Sequence, residues 1–318
     1  VLLDFGHYAN VIRVGDHGIA VSTDGVGSKI LVAEMAGKFD TLGIDLVAMN
    51  VNDLLCVGAE PLCMLDYIAV KRVDDRLLAE LGVGLEAGAE AAGITIPAGE
   101  IAQLPDMLAG ADPDQGLDLV GTALGIVAPD RLVIGRAIAG GDVAIGFAST
   151  GLHSNGYSLV RRVLLDRARM ALDQHVPELG RPLAAELLEP TRIYVRLALD
   201  LLRAGDVHGL AHITGDGLSN LLRLHPRMSY TFPALPAPPP IFSLIAARGG
   251  IAMPEMVTTF NMGIGLIAVV PAARADQALT AGARHGIPAF VLGEADDDGR
   301  REIRIGAPRL RVTIDGAS

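Results

Sequence analysis

The chain has 318 residues, half of them hydrophobic, with 37 acidic against 26 basic side chains and a formal net charge of −11. That length accommodates two domains and a sizeable core, and an acidic chain without a basic tract excludes nucleic acid or an anionic membrane surface as a main partner. No apolar run reaches 18 residues and no secretory leader is evident, so no membrane span is expected and a cytoplasmic location is.

The first ten residues carry Asp4-Phe5-Gly6-His7-Tyr8, read as a packed arm rather than a lid. Residues 18–21 read as a strand and 30–35 as the start of a helix. Ser22-Thr23-Asp24-Gly25-Val26-Gly27-Ser28-Lys29 is therefore a strand-to-helix loop. Its glycines let backbone N–H groups approach a phosphate, and a helix start favours an anion. Lys29 can neutralise phosphate charge, and Asp24 can hold a divalent cation that bridges phosphates. The alternative is an ordinary turn, and the Walker spacing G-x-x-x-x-G-K-[ST] is absent.

Residues 43–58 read as a helix on which Asp45, Met49, Asn52 and Asp53 share one face. Two carboxylates and an amide in that stripe are either a solvated face or part of a site. Residues 61–70 read as a strand with Asp66 inside an apolar run, and 74–92 as an amphipathic helix. A short strand over 94–97 runs into Ala98-Gly99-Glu100, again a glycine beside a carboxylate. Residues 103–116 read as a loop and 117–127 as a strand. Cys56 and Cys63 have no His or Cys at metal-ligand spacing, so buried reduced thiols are expected.

The domain junction is placed near 129–141, giving domains of 1–130 and 131–318. A strand over 143–148 leads to Ser149-Thr150-Gly151-Leu152-His153-Ser154-Asn155-Gly156 and a helix over 157–168, a second loop able to take a phosphate. The alternative is a helix cap by Ser154 or Asn155. Residues 170–190 read as a polar connection and 191–203 as a helix capped by Thr191. His208 and His212 have a zinc-like spacing, but Gly209 and a strand-like run argue against a helix there. Thr214-Gly215-Asp216-Gly217 is a third glycine and carboxylate loop before a helix. The remainder reads as a proline-rich connection over 233–240, a helix over 241–248, an apolar strand to residue 270, a helix over 273–285 and two short strands. No internal repeat is found. From the residues alone, Asp24, Asp53, Glu100 and Asp216 suggest oxygen ligands brought together for magnesium and a nucleotide, with phosphoryl transfer as the chemistry.

The segments STDGVGSK, GIDLVAMNVNDLLCVGAEPL, LDYIAV, STGLHSNGYSLVRR, EPTRIYV, AHITGDGL and TFNMGIG occur in this order. Together they resemble the phosphoribosylformylglycinamidine cyclo-ligase (aminoimidazole ribonucleotide synthetase) family over nearly the whole chain, in the form common in archaea. The resemblance implies an α/β (α+β) fold of two domains, the N-terminal strands forming a barrel across a homodimer. It implies ATP-dependent ring closure of formylglycinamidine ribonucleotide through an iminophosphate, with ATP and Mg²⁺, in purine biosynthesis. The expected magnesium ligands are Asp24, Asp53, Glu100 and Asp216. The nucleotide is assigned to Thr23, Asp24, Gly25, Gly27, Ser28, Lys29, Asp45, Asn52, Asp53 and Gly99. The substrate is assigned to His153, Ser154, Asn155, Gly156, Thr214 and Gly215, and His212 joins Asp24 and Lys29 as a catalytic candidate. Ala98 and Ile101 depart from the family's Gly-Gly-Glu-Thr. Asp216 stands where many bacterial members have glycine, and it resembles the Asp of a similar Ser-Asp-Gly-Leu segment in thiamine monophosphate kinase, which serves magnesium. A small-molecule kinase and a paralogue that binds nucleotide without turnover are the alternatives.

Overall fold

The computed structural model describes every residue except Asp4, 307–309, Asp315 and Ser318. The N-terminal half runs β1 (Asn10–Val14), β2 (His17–Gly25), α1 (Lys29–Ala36), α2 (Leu42–Leu55), β3 (Glu60–Val70), α3 (Asp75–Ala92), β4 (Thr95–Gln103) and β5 (Leu117–Val127). Its sheet has the order β1-β2-β5-β3-β4. Only β3 and β4 pair in parallel, because α3 carries the chain back between them. Asp74 caps α3 by accepting a hydrogen bond from Leu77 N at 2.9 Å, and Gly93 closes it in the left-handed region.

The alternation along these strands decides which face is covered. Ala20, Met64, Ile68, Leu119 and Ala123 point inward and are buried, where α2 packs against β2, β5 and β3. The opposite face leaves Leu62, Leu65 and Tyr67 between 38 and 47 % exposed. α2 is buried on nearly every side, so its polar stripe does not face solvent. β4 extends well beyond the expected strand, to Gln103, and Glu100 therefore lies within it rather than in a loop.

The C-terminal half contains β6 (Val143–Ala148), α4 (Tyr157–Val160), the hairpin of β7 (His175–Val176) and β8 (Arg181–Pro182), α5 (Leu183–Leu187), α6 (Val195–Ala204), β9 (Gly209–His212), β10 (Ser229–Phe232), α7 (Pro240–Gly249), α8 (Met253–Thr259), β11 (Ile264–Val270), α9 (Ala275–Arg284), β12 (Ala289–Asp296), β13 (Ile303–Ile305), β14 (Leu310–Thr313) and β15 (Gly316–Ala317). The eight-stranded sheet has the order β15-β14-β13-β10-β12-β6-β11-β9. β11 is buried along its whole length, as its unbroken apolar run requires.

Several local expectations differ from what forms. The helix beginning at Tyr157 changes to π geometry over Arg161–Arg167, and the helix after Asp216 is a 3₁₀ helix, Gly217–Arg223. The polar connection over 170–190 folds into the β7–β8 hairpin and α5. Thr191 does not cap α6, which begins at Val195, because its hydroxyl is held by Asp45. The N-terminal arm packs as expected. Tyr8 is buried and donates to the Asn220 carbonyl at 2.7 Å, and its ring lies 5.6 Å from the Arg223 guanidinium. Asp4 of that arm lies outside the described residues. Among the described residues no helix is long and apolar enough to cross a membrane.

Candidate active site at the junction of the two domains

One register line crosses the N-terminal sheet near the loop. Asp24 lies opposite Gly121, Gly121 opposite Asp66, and Asp66 opposite Gly99. Residues directly opposite one another share a face, so Asp24 and Asp66 both point to the helix side. Two strand spacings put their backbones about 10 Å apart. The glycines leave room for them: a Cβ on Gly99 would sit 2.1 Å from Asp66 Oδ1. Burial raises both carboxyl pKa values. In Asp24 the Gly25 N–H, at 2.7 Å, pulls down while the Asp53 charge pushes further up. In Asp66 its own backbone N–H pulls down. Neither has a cationic partner within ion-pair distance among the described residues.

Asn50, which the sequence reading passed over, fixes Asp24. Its Oδ1 accepts from Asp24 N at 3.0 Å and its Nδ2 donates to the Asp24 and Leu46 carbonyls. Its signal was an amide, fully buried, in an apolar helix. Asp66 reads in sequence only as a charge inside an apolar strand, because cross-strand register alone reveals that it shares a row with Asp24.

The remaining expected ligands do not join that row. Asp53, on α2, accepts from His212 Nδ1 at 2.8 Å, and the His212 ring is fully buried beside Asn52. Glu100 lies opposite Tyr67, on the other face of the sheet, so within this chain it cannot meet Asp24. Asp216 is 60 % exposed and paired with Arg223. The expectation of one four-carboxylate cage is thus corrected: among the described residues no group of three or more His, Cys, Asp or Glu is arranged to hold a metal.

A second correction concerns Lys29. Its ammonium is fully buried, 2.8 Å from Asp45 Oδ2 and 2.9 Å from Oδ1, and it donates to the Glu189 carbonyl at 2.7 Å and the His153 carbonyl at 3.2 Å. Burial pulls its pKa down and Asp45 pulls it back up. Asp45 also accepts from Thr191 N at 2.7 Å, Thr191 Oγ1 at 2.6 Å and Ser154 Oγ at 3.1 Å. Lys29, Asp45 and Ser154 are therefore committed to a buried knot between the domains rather than to a phosphate or substrate. Asn52 serves a similar end, bonding the Arg192 carbonyl at 2.9 Å and Tyr194 N at 3.0 Å. His212, tied to Asp53 and screened from solvent, holds the domains together in the same way.

Other candidates border the open side. Ser28 Oγ meets Ser158 Oγ at 3.3 Å, joining the first loop to α4, the helix that follows the second. Thr23 points to the opposite sheet face and meets Thr122 Oγ1 at 3.0 Å. Gly25 ends β2 instead of lying in the loop, because residues 22–25 pair with β5, while Gly27 lies in the loop in the left-handed region. Asn155 Oδ1 would be 3.4 Å from a Cβ on Gly215, so the second and third loops meet. Gly156 packs on the Phe260 ring, and Thr214 N donates to Asn220 Oδ1 at 2.8 Å. His208 pairs with Asp142 and His212 with Asp53, so the two histidines do not share a zinc.

Fold and site define a two-domain α/β protein that gathers oxygen ligands and backbone donors where three glycine-containing loops meet. Residues 6–127 match the N-terminal domain, and 139–306 the C-terminal domain, of AIR synthase related proteins. The chain is 45% identical to the phosphoribosylformylglycinamidine cyclo-ligase of Methanocaldococcus jannaschii, over 92% of this chain and 82% of that protein. It is 46% identical to the enzyme of the same name from Thermococcus kodakarensis, over 97% and 86%. The chain belongs to the AIR synthase family. T. maritima PurL complexed with ADP shares the fold, with a TM-score of 0.65 at 17% identity, covering 98% of this chain and 46% of that one.

Proposed function

We propose that the protein is an ATP-dependent phosphoribosylformylglycinamidine cyclo-ligase, closing formylglycinamidine ribonucleotide to aminoimidazole ribonucleotide with release of ADP and phosphate. The relatives' activity and the Asp24–Gly121–Asp66–Gly99 row together carry the reading. In it, the formyl oxygen takes the γ-phosphoryl group to give an iminophosphate. The amidine-derived nitrogen attacks that carbon and phosphate departs. Such transfer needs alignment and charge neutralisation more than covalent help.

Asp24 and Asp66 suit Mg²⁺, since both are half-buried oxygen donors lacking a counter-charge, and magnesium takes one or two carboxylates alongside phosphate oxygens and water. When bound there, the ion would offset phosphate charge. Asn50 keeps Asp24 aimed, and since the Gly25 and Val26 amides are bonded to Asp24 and the Leu119 carbonyl, the Gly27 amide is the one assigned to the phosphates. The loops carrying Asn155, Thr214 and Gly215 receive the second substrate. Glu100 and Asp216 remain candidates only where another subunit or a closed state brings them in.

A homodimer is part of the same reading. The outer sheet face exposes Leu62, Leu65 and Tyr67, and β4 is an edge strand whose residues are mostly exposed. A second copy closing that face into a barrel would cover both. Sedimentation should give twice the chain mass.

The test of activity is turnover of formylglycinamidine ribonucleotide with Mg-ATP, followed by ADP and the aminoimidazole product. Ring closure with free phosphate supports the proposal. A stable phosphorylated product indicates a kinase instead, and nucleotide binding without turnover indicates an inactive paralogue.

A further inference from the structure

A phosphoribosyl substrate brings a phosphate monoester, and an acidic chain must meet it with local cations. Lys29 is not available, being enclosed with Asp45. The unsatisfied polar atoms point elsewhere. His153 Nδ1, Arg161 Nε and Arg192 Nε are all buried without a hydrogen-bond partner. All three belong to the walls of the Ser149–Gly156 loop or to the segments next to it. Buried donors left unpaired call for an acceptor, and a phosphate offers only acceptors.

The state of His153 follows from its neighbours. Nε2 accepts from Thr150 N at 3.3 Å and from Arg192 N at 3.4 Å. A nitrogen that accepts carries no proton, so the imidazole is neutral and its single N–H is on Nδ1. Burial, with the His212, Lys29 and Arg192 charges, holds the ring well below its usual pKa in the same sense. The ring is also fixed in place. His153 has a left-handed backbone, φ 61°, and a Cβ on Gly265 of β11 would come within 2.5 Å of its Cε1. A strained, immobilised donor suits recognition better than proton exchange.

Arg192 is pinned on both sides of its Cα. Its N–H meets His153, and its carbonyl accepts from Asn52 Nδ2 at 2.9 Å. Its guanidinium has no carboxylate within ion-pair distance among the described residues. The partly buried arginines elsewhere in the domain contrast with it. Arg181 is held by Glu186 and Glu189, and Arg304 by Asp296, Asp298 and Glu302. Arg161 lies one turn beyond Ser158, whose hydroxyl meets Ser28 of the first loop. That places a second unpaired guanidinium on the helix that opens at Gly156.

We propose that Arg192, with Arg161 and the Nδ1–H of His153, forms the pocket that takes the phosphate monoester of the phosphoribosyl substrate. Guanidinium groups match phosphate oxygens two at a time, and the neutral histidine adds a donor without another charge to desolvate. Arg192 is thereby a substrate-specificity residue distinct from the groups assigned to ATP. The inference rests on the cyclo-ligase reading for the identity of the substrate, but not for the existence of an oxyanion pocket.

The probe is ribose 5-phosphate, which carries the phosphoribosyl group without the reacting amidine. In calorimetry with the full chain, the wild type is expected to bind it and Arg192→Met to bind it at least about tenfold more weakly, the size of a lost charge-assisted hydrogen bond. Arg192→Lys should recover part of the affinity. In turnover, Arg192→Met should raise KM for formylglycinamidine ribonucleotide by about the same factor while KM for ATP stays within about twofold. Arg161→Met carries the same measurements if Arg192→Met does not fold, as judged by its melting curve. Absence of ribose 5-phosphate binding by the wild type overturns the inference. So does equal affinity in wild type and variant, or a loss confined to ATP. Failure of the cyclo-ligase reading shows separately, as absent ring closure by a wild type that still binds ribose 5-phosphate.

Discussion

Two sets of carboxylates lie close together in this chain and behave as opposites. Asp45 is fully buried, with Lys29, Ser154 and Thr191 all donating to its Oδ1 and the Lys29 ammonium 2.8 Å from its Oδ2. Asp24 and Asp66 are half-buried, take only backbone N–H donors and have pKa values raised by burial. The first set holds the two domains in position, while the second is left with coordination capacity to spend on a ligand. The difference teaches that satisfaction, more than residue type or closeness to a glycine loop, separates a strut from a site.

The largest effect should come from cutting the strut. Lys29→Met leaves Asp45 buried and uncompensated, which costs about 3–5 kcal/mol. Urea unfolding should show that loss, and an unchanged midpoint would break the contrast. Asp24→Asn should behave in the reverse way, lowering kcat about a hundredfold, as expected for removing one preorganised charge contact at a transferring phosphoryl group. Its stability should rise at neutral pH. A carboxyl raised in the folded state favours folding below its unfolded pKa, and that contribution is lost as pH rises through the folded value. The variant should therefore melt above wild type at neutral pH. The gap should close as pH falls through the range just above an ordinary aspartate.

Asn52→Ala removes bonds to the Arg192 carbonyl and Tyr194 N and should cost about 1–3 kcal/mol by denaturant unfolding, as a weaker version of the Lys29 change. Gly99→Ala sharpens the comparison from the other side. The new methyl displaces the flexible end of Asp66, so stability should change by under about 1 kcal/mol while turnover falls roughly tenfold. Equal loss of both would make Asp66 structural. The smallest effect should be Tyr8→Phe, which gives up one buried bond to Asn220 and about 1 kcal/mol in melting experiments.

Much of the local architecture was legible in the sequence. Alternation marked β5, an apolar run marked β11, and amphipathic spacing over 74–92 marked α3. The second and third glycine loops were also found where they lie, whereas the first is shorter than read, since β2 runs on to Gly25. What was misread followed from distance along the chain. Lys29 looked like a phosphate ligand because its partners Asp45, His153 and Glu189 are 16, 124 and 160 residues away. Glu100 looked like a partner of Asp24 because the face of a strand is set by register, which depends on where β4 begins to pair with β3.

The sequence by itself determined most of the longer strands and helices and membership of the AIR synthase family, since these rest on short-range periodicity and on motifs read in a row. Tertiary structure alone decided which carboxylates are spent on holding the domains together and which are left to bind. That division depends on whether donors remote in sequence fill each oxygen once the two sheets are brought against α2.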